Sequence, residues 1–214
     1  MNTIHLHQLL PQVFAERTDI RSDIWNRDIT LQRGKLYLVE AQSGTGKTSL
    51  CSYLYGQRSD YQGQITFDDT DIRTLTPSRW DHLRQHSLAI LFQEMRLFPE
   101  LTALENVQIK NRLTHFKTQE QIEEMFCRLH IHDKLNTPAA IMSLGQQQRV
   151  ALIRAFCQPF HFLLADEPIS HLDEDNAQLM AQLILSEARA QSAALILTSI
   201  GKHPNLPYDN HLRL

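Results

Sequence analysis

Four side chains in this sequence have the types and settings needed to handle a polyphosphate. Lys47 and Thr48 close the stretch Ala41-Gln42-Ser43-Gly44-Thr45-Gly46-Lys47-Thr48, and Asp166 and Glu167 follow the apolar run Phe162-Leu163-Leu164-Ala165. Phosphate oxygens carry dense negative charge, which successive backbone N–H groups and a helix N-terminus can meet without side-chain bulk. Lys47 adds a mobile cation, and the Thr48 hydroxyl is placed to ligate Mg²⁺. Of two acids at a strand end, the first can hold that ion and the second can polarise an attacking water as a general base.

The pattern G-x-x-x-x-G-K-[ST] is met everywhere except position 41. Alanine there costs something only if the backbone requires φ > 0, in which case a penalty on the order of 1 kcal/mol applies. Glu40 sets a carboxylate beside the loop and is expected to point into solvent.

These groups need a scaffold. Leu36-Tyr37-Leu38-Val39 suits a buried strand before the loop, and Thr48 to Leu54 suits a helix after it. Ile4 and Leu6 alternate with His5 and His7 as a half-exposed strand, and Asp28 to Leu31 and Gln64 to Phe67 read as further strands. Leu88 to Phe92 fits a buried strand ending at Gln93, an amide expected to face a cleft. Thr102 and Thr118 begin capping boxes, so two helices start there, and Ile122, Met125, Phe126 and Leu129 form one buried face. Ser143 is an N-cap candidate for a long helix. Asp173 caps a helix with Leu179, Leu183 and Ile184 inside, and Ala194 to Leu197 is another buried strand. Strands alternating with helices argue for an α/β chain with a mostly parallel sheet covered on both faces.

The 214 residues are compatible with one α/β domain carrying an inserted subdomain. Lys plus Arg number 21 against 24 Asp plus Glu, so the net charge of -3 gives no pull toward nucleic acid or anionic lipid, and no nucleic-acid partner is expected. The N-terminus lacks a signal-peptide pattern, and no apolar stretch reaches the length of a membrane span. Leu214 directly follows a strand-like segment, so no appended regulatory domain is expected. Cys51, Cys127 and Cys157 are expected to be reduced core thiols, and the eleven histidines show no zinc-ligand spacing. Phe14 is expected in the core or at an edge, where an aromatic beside a nucleotide could also stack on a base.

Met142-Ser143-Leu144-Gly145-Gln146-Gln147-Gln148-Arg149-Val150-Ala151 resembles the LSGGQQQRVA signature of ATP-binding cassette (ABC) transporter ATPases. Leu91-Phe92-Gln93 with Leu97 to Val107 is similar to the Q-loop region of the lipoprotein-release, macrolide-export and cell-division branch, and Ile169 to Asp173 resembles the D-loop. The resemblance covers essentially the whole chain. It implies a P-loop NTPase fold with an N-terminal antiparallel β part, an ATP-binding core of residues 1–93 and 143–214, and a helical subdomain of residues 94–142.

The resemblance further implies a head-to-tail dimer around two ATP molecules. Phe14 falls at the adenine-stacking position, and Ala41, Gln42, Ser43, Gly44, Thr45, Gly46, Lys47, Thr48 and Ser49 form the phosphate loop. Thr48, Gln93 and Asp166 would hold Mg²⁺, Gln93 would contact the metal or the attacking water, and Glu167 would be the general base. Ser143, Gly145 and Gln146 would meet the ATP of the opposing subunit. A separately encoded membrane permease would contact the Gln93 loop and the helical subdomain, placing the chain in the cytoplasm at the inner face of the membrane.

Three departures stand beside these matches. Ala41 replaces a loop glycine, Leu144 replaces the first signature glycine, and Ser199 stands where the family has its switch histidine. Serine is too short for that role and cannot hold a positive charge, and His203 is not expected to substitute. The enzyme assignment therefore has a competitor: a degenerate ATP-binding module with little hydrolysis, acting as a regulatory or structural half of a heterodimer. A soluble nucleotide kinase would give the signature no role.

Overall fold

A computed structural model describes residues 1–214. Five parallel strands form the central sheet in the order β6-β7-β8-β3-β9, and four antiparallel strands form a second sheet in the order β2-β1-β4-β5. The central strands are β3 (Leu36–Glu40), β6 (Leu88–Leu91), β7 (Phe162–Asp166), β8 (Ala194–Ser199) and β9 (Asn210–Arg213). The second sheet comprises β1 (Thr3–Pro11), β2 (Asp28–Gln32), β4 (Tyr61–Phe67) and β5 (Thr70–Asp71). The expected mostly parallel sheet and N-terminal antiparallel part are both present.

The central strands alternate between two cores. Leu36, Leu38, Leu163, Ala165, Leu195 and Leu197 face one that also contains helices α4 (Gln119–Arg128), α5 (Leu144–Phe156) and α6 (Glu174–Ala190). Tyr37, Val39, Leu164 and Ile196 face the other, which includes Ile4, Leu6 and Ile65 of the antiparallel sheet. A sheet buried on both faces has no polar side, and every residue of β7 and β8 is accordingly buried.

Helix α1 (Lys47–Leu54) follows the loop after β3. Helix α3 (Ala103–Asn111) and α4 open on the expected capping boxes at Thr102 and Thr118, and Ser143 closes a third with Gln146. Ala103, Val107, Ile122, Met125 and Phe126 pack into the same core as α5, so the 94–142 region is anchored on that helix.

Helix α2 (Pro77–His86) was not anticipated. Its signals are a Thr76 cap that accepts from the Arg79 N–H and a proline in the first turn, but its apolar periodicity is weak and only Leu83 is buried. The cysteine expectation is corrected at one position: Cys51 and Cys157 are buried, whereas Cys127 is exposed. It lies on α4 beyond the buried stripe of Ile122, Met125 and Phe126. Leu179 is half-buried, while Leu183 and Ile184 are fully enclosed.

Candidate functional site

The parallel register brings the separated motifs to one edge of the sheet. Leu91 is level with Ala165, Asp166 with Thr198, and Glu40 with Ser199. The segments after β3, β6, β7 and β8 therefore all leave at the same end, where ligands bind in open parallel sheets.

Between β3 and α1, the N–H groups of Gln42 through Ser49 find no acceptor within the protein. Such a row of unpaired donors at a helix start suits an anion. Gly44 and Gly46 both lie at positive φ. Ala41 does not, and its N–H donates to the Ser199 carbonyl at 3.1 Å. The replaced glycine thus costs no backbone strain. Beneath the loop, the Trp25 indole donates to the Thr45 carbonyl at 3.0 Å.

Lys47 is buried, donates to the Gln42 carbonyl at 3.1 Å, and lies 3.7 Å from Glu167 Oε1. The Thr48 hydroxyl donates to Asp166 Oδ2 at 2.8 Å, and the Thr198 hydroxyl donates to Oδ1 of the same carboxylate. Asp166 is 3% exposed and has hydroxyl partners but no cationic side chain within 4.0 Å. A buried carboxylate with its charge uncompensated, beside an exposed hydroxyl, fits a divalent cation. Glu167 adopts φ of 49°, a left-handed conformation that costs a non-glycine residue about 1–2 kcal/mol. Such strain collects where a side chain must be aimed.

Gln93 emerges half-buried beyond β6 at this same edge. Arg154 of α5 holds the loop behind it, donating to the Arg96 carbonyl at 2.7 Å and also to that of Met95. Burial pushes this guanidinium down to about 10. Met95 and Arg96 both sit at positive φ, so the clamp supports a sharply turned segment.

Phe14 lies beside the loop with its ring 6% exposed and the Arg17 guanidinium 4.6 Å above its centroid. A cavity of about 340 Å³ opens there, lined by Arg17, Trp25, Gln42 and Thr45 as well as Phe14. Any base entering it meets Arg17 as well as the ring.

Ser199 is buried, and its hydroxyl donates to the Lys202 carbonyl at 2.7 Å. His203 turns elsewhere, with Nδ1 bonded to the Pro204 carbonyl and Nε2 3.9 Å from Glu40. Glu40 is accordingly half-exposed and not free in solvent. Ser143, Gly145 and Gln146 stand at the start of α5, where the hydrogen bonds of Ser143 and Gln146 close on each other. Leu144 is 53% exposed. Sequence patterns did not reveal Trp25, Thr198, Gln148 or Arg154, whose partners lie far along the chain.

The sequence pattern that describes the ABC transporter family matches residues 25–170, more than half of the chain. The chain belongs to the ABC transporter family. An uncharacterized ABC transporter ATP-binding protein of Mycobacterium tuberculosis is 33% identical over 80% of this chain and 53% of its own length. The chain thus spans about half the length of such mycobacterial relatives. The lipoprotein-releasing system ATP-binding protein LolD of Buchnera aphidicola is 31% identical over 82% of this ABC chain and 78% of its own. Among solved structures, the dimeric bacterial ABC transporter cassette MJ0796 superposes with a TM-score of 0.77, covering 91% of this chain and 87% of that one at 22% identity. That likeness concerns the fold. No helix is long and apolar enough to cross a membrane.

Proposed function

We propose that this chain binds and hydrolyses ATP with Mg²⁺ as one subunit of an ABC transporter, dimerising around two nucleotides and driving a separately encoded permease. The observation that carries the proposal is the convergence of Lys47 with Glu167, at 3.7 Å, and of Thr48 with Asp166, at 2.8 Å, beside a row of free loop N–H groups. Those N–H groups and Lys47 would hold the β- and γ-phosphates, and Trp25 supports the loop from below. Bound Mg²⁺ would offset phosphate charge, with Thr48, Asp166 and Gln93 as the residues to hold it.

Glu167 would accept a proton from the attacking water, with the Lys47 ammonium 3.7 Å from its Oε1. Ser143, Gly145 and Gln146 are assigned to the nucleotide of the second subunit, and Phe14 with Arg17 to the base. The Gln93 loop and the helical subdomain would meet the permease, whose membrane setting would keep this chain at the inner face. LolD and the dimeric cassette support the permease and the dimer by analogy.

A second arrangement has one observation in its favour. Ser199 commits its one hydroxyl hydrogen to the Lys202 carbonyl and leaves no donor and no cationic group to position water at that point. This supports slow turnover, and in the limit a module that binds ATP without using it. Steady-state hydrolysis by wild type beside Glu167→Gln separates the two. The proposal expects turnover in wild type and a loss of at least 100-fold in the variant, with ATP binding kept. Binding without turnover in either protein would favour the module.

A further inference from the structure

Gln148 is 1% exposed, yet it is an amide in the middle of α5. Its Nε2 donates to the Glu167 carbonyl at 3.2 Å, and its Oε1 accepts from the His171 N–H at 3.3 Å. A carbonyl can only accept and an N–H can only donate, so the two partners determine the orientation of the amide. Both are backbone groups of the turn after β7, one of them on the strained Glu167 itself.

Other bonds hold the same turn: the Lys202 ammonium donates to the Leu172 carbonyl at 2.6 Å and the Leu172 N–H to the Ile169 carbonyl at 3.2 Å, but neither reaches the Glu167 backbone. The Glu167 N–H donates to the Thr198 carbonyl at 3.2 Å, and the Ser170 N–H reaches back to the Glu167 carbonyl at 3.3 Å. On the far side, the Gly145 backbone approaches the His171 carbonyl so closely that an added Cβ would stand 3.0 Å from it. The first turns of α5 therefore press on the same segment that Gln148 ties.

We propose that Gln148 is a positioning residue for hydrolysis, a buried strut that holds the Glu167 main chain in its left-handed turn and aims the carboxylate. The inference rests on the ATPase function proposed above. Gln148 is buried and bonds only the two backbone groups of this turn, so its effect runs through Glu167. A shift of the base by about 1 Å is enough to slow a proton transfer on the order of 100-fold without altering how phosphate is held. The same strut ties the 169–173 turn, at His171, to helix α5, so a movement of α5 would reach the base of its own subunit.

The test measures ATP hydrolysis and Mg-ATP affinity for Gln148→Met and Gln148→Glu. Methionine keeps the volume and removes both bonds. Glutamate keeps the acceptor for His171 but faces the Glu167 carbonyl with a second acceptor. Both variants are expected to lose about tenfold or more in kcat while KM for ATP and nucleotide affinity stay within about twofold. In a Glu167→Gln background, Gln148→Met should lower the residual rate by less than twofold, because its effect runs through the missing base.

An unchanged kcat in a turning-over protein would overturn the strut alone, as would a full tenfold loss in the Glu167→Gln background. Wild-type binding of ATP without turnover would overturn the ATPase proposal and the strut with it. Hydrogen exchange on the wild-type chain provides a check that needs no variant. The His171 amide, on an exposed turn, should be protected at least tenfold over a free amide, and exchange at the free rate would remove one end of the strut.

Discussion

Thr48 Oγ1 donates to Asp166 Oδ2 across 2.8 Å although the two residues are 118 positions apart in the chain. The exposed hydroxyl and the buried carboxylate meet because β3 and β7 run parallel on either side of β8. Replacing Thr48 by Val keeps the shape and removes the oxygen. The Mg²⁺ concentration that half-saturates ATP hydrolysis should rise about tenfold or more, while folding is preserved. A Mg²⁺ titration of the purified variant checks this, and an unchanged midpoint would remove Thr48 from the metal site.

Two loop glycines should respond differently to alanine. At Gly46, φ is 100° and an added Cβ would lie 3.0 Å from Trp25 Cζ2 and 3.3 Å from Phe14 Cε2, so conformational and steric costs combine to about 2–3 kcal/mol. At Gly44, φ is 80° and nothing lies within 4 Å, leaving a conformational cost of about 1 kcal/mol. Urea unfolding of Gly46→Ala and Gly44→Ala measures the order. Equal losses would mean that Trp25 does not seat the loop.

Ser199→His should raise kcat several-fold if that position limits turnover, since an imidazole can reach where the serine hydroxyl does not. The substitution also removes the donor to the Lys202 carbonyl and crowds a buried site, for a stability loss of about 1–3 kcal/mol. Turnover and thermal unfolding are to be measured on the same preparation. A stably folded variant with no faster turnover would show that position 199 does not limit the rate.

Lys110 reaches the Arg84 carbonyl at 3.1 Å, and burial, with Arg154 and Arg84 nearby, pushes its ammonium down to about 8 from 10.5. Between those values the unfolded chain holds a proton that the folded chain has released, so this group makes stability rise with pH across that window. Below pH 8 both states are protonated and the full destabilisation is present. The stability difference between Lys110→Met and wild type should therefore be flat below pH 8 and fall between pH 8 and 10.5. Parallel urea titrations give the difference, and a flat profile throughout would mean that Lys110 ionises normally.

Local sequence was enough for the elements that carry their own signals. The apolar runs around Val39, Leu164 and Ile196 become buried strands, and Thr102, Thr118, Ser143 and Asp173 cap helices where their spacing indicated. Strand periodicity and capping depend on neighbours within a turn or two, which sequence displays directly. Helix α2 escaped because its face is mostly polar and its evidence is a cap and a proline alone.

The sequence by itself determined which residues could do chemistry: Lys47, Thr48, Asp166 and Glu167 are chosen by type and motif. Tertiary structure decided how they are held. Parallel pairing set Asp166 level with Thr198 and Glu40 level with Ser199, while the loops around them seated Arg17 over Phe14, left Ala41 unstrained and turned Ser199 toward Lys202. It also joined Gln148 to Glu167 and His171 through one buried amide. Hydrogen-bond partners many residues apart leave no periodic mark on the chain, because their distance is set by the packing of the sheet and its helices.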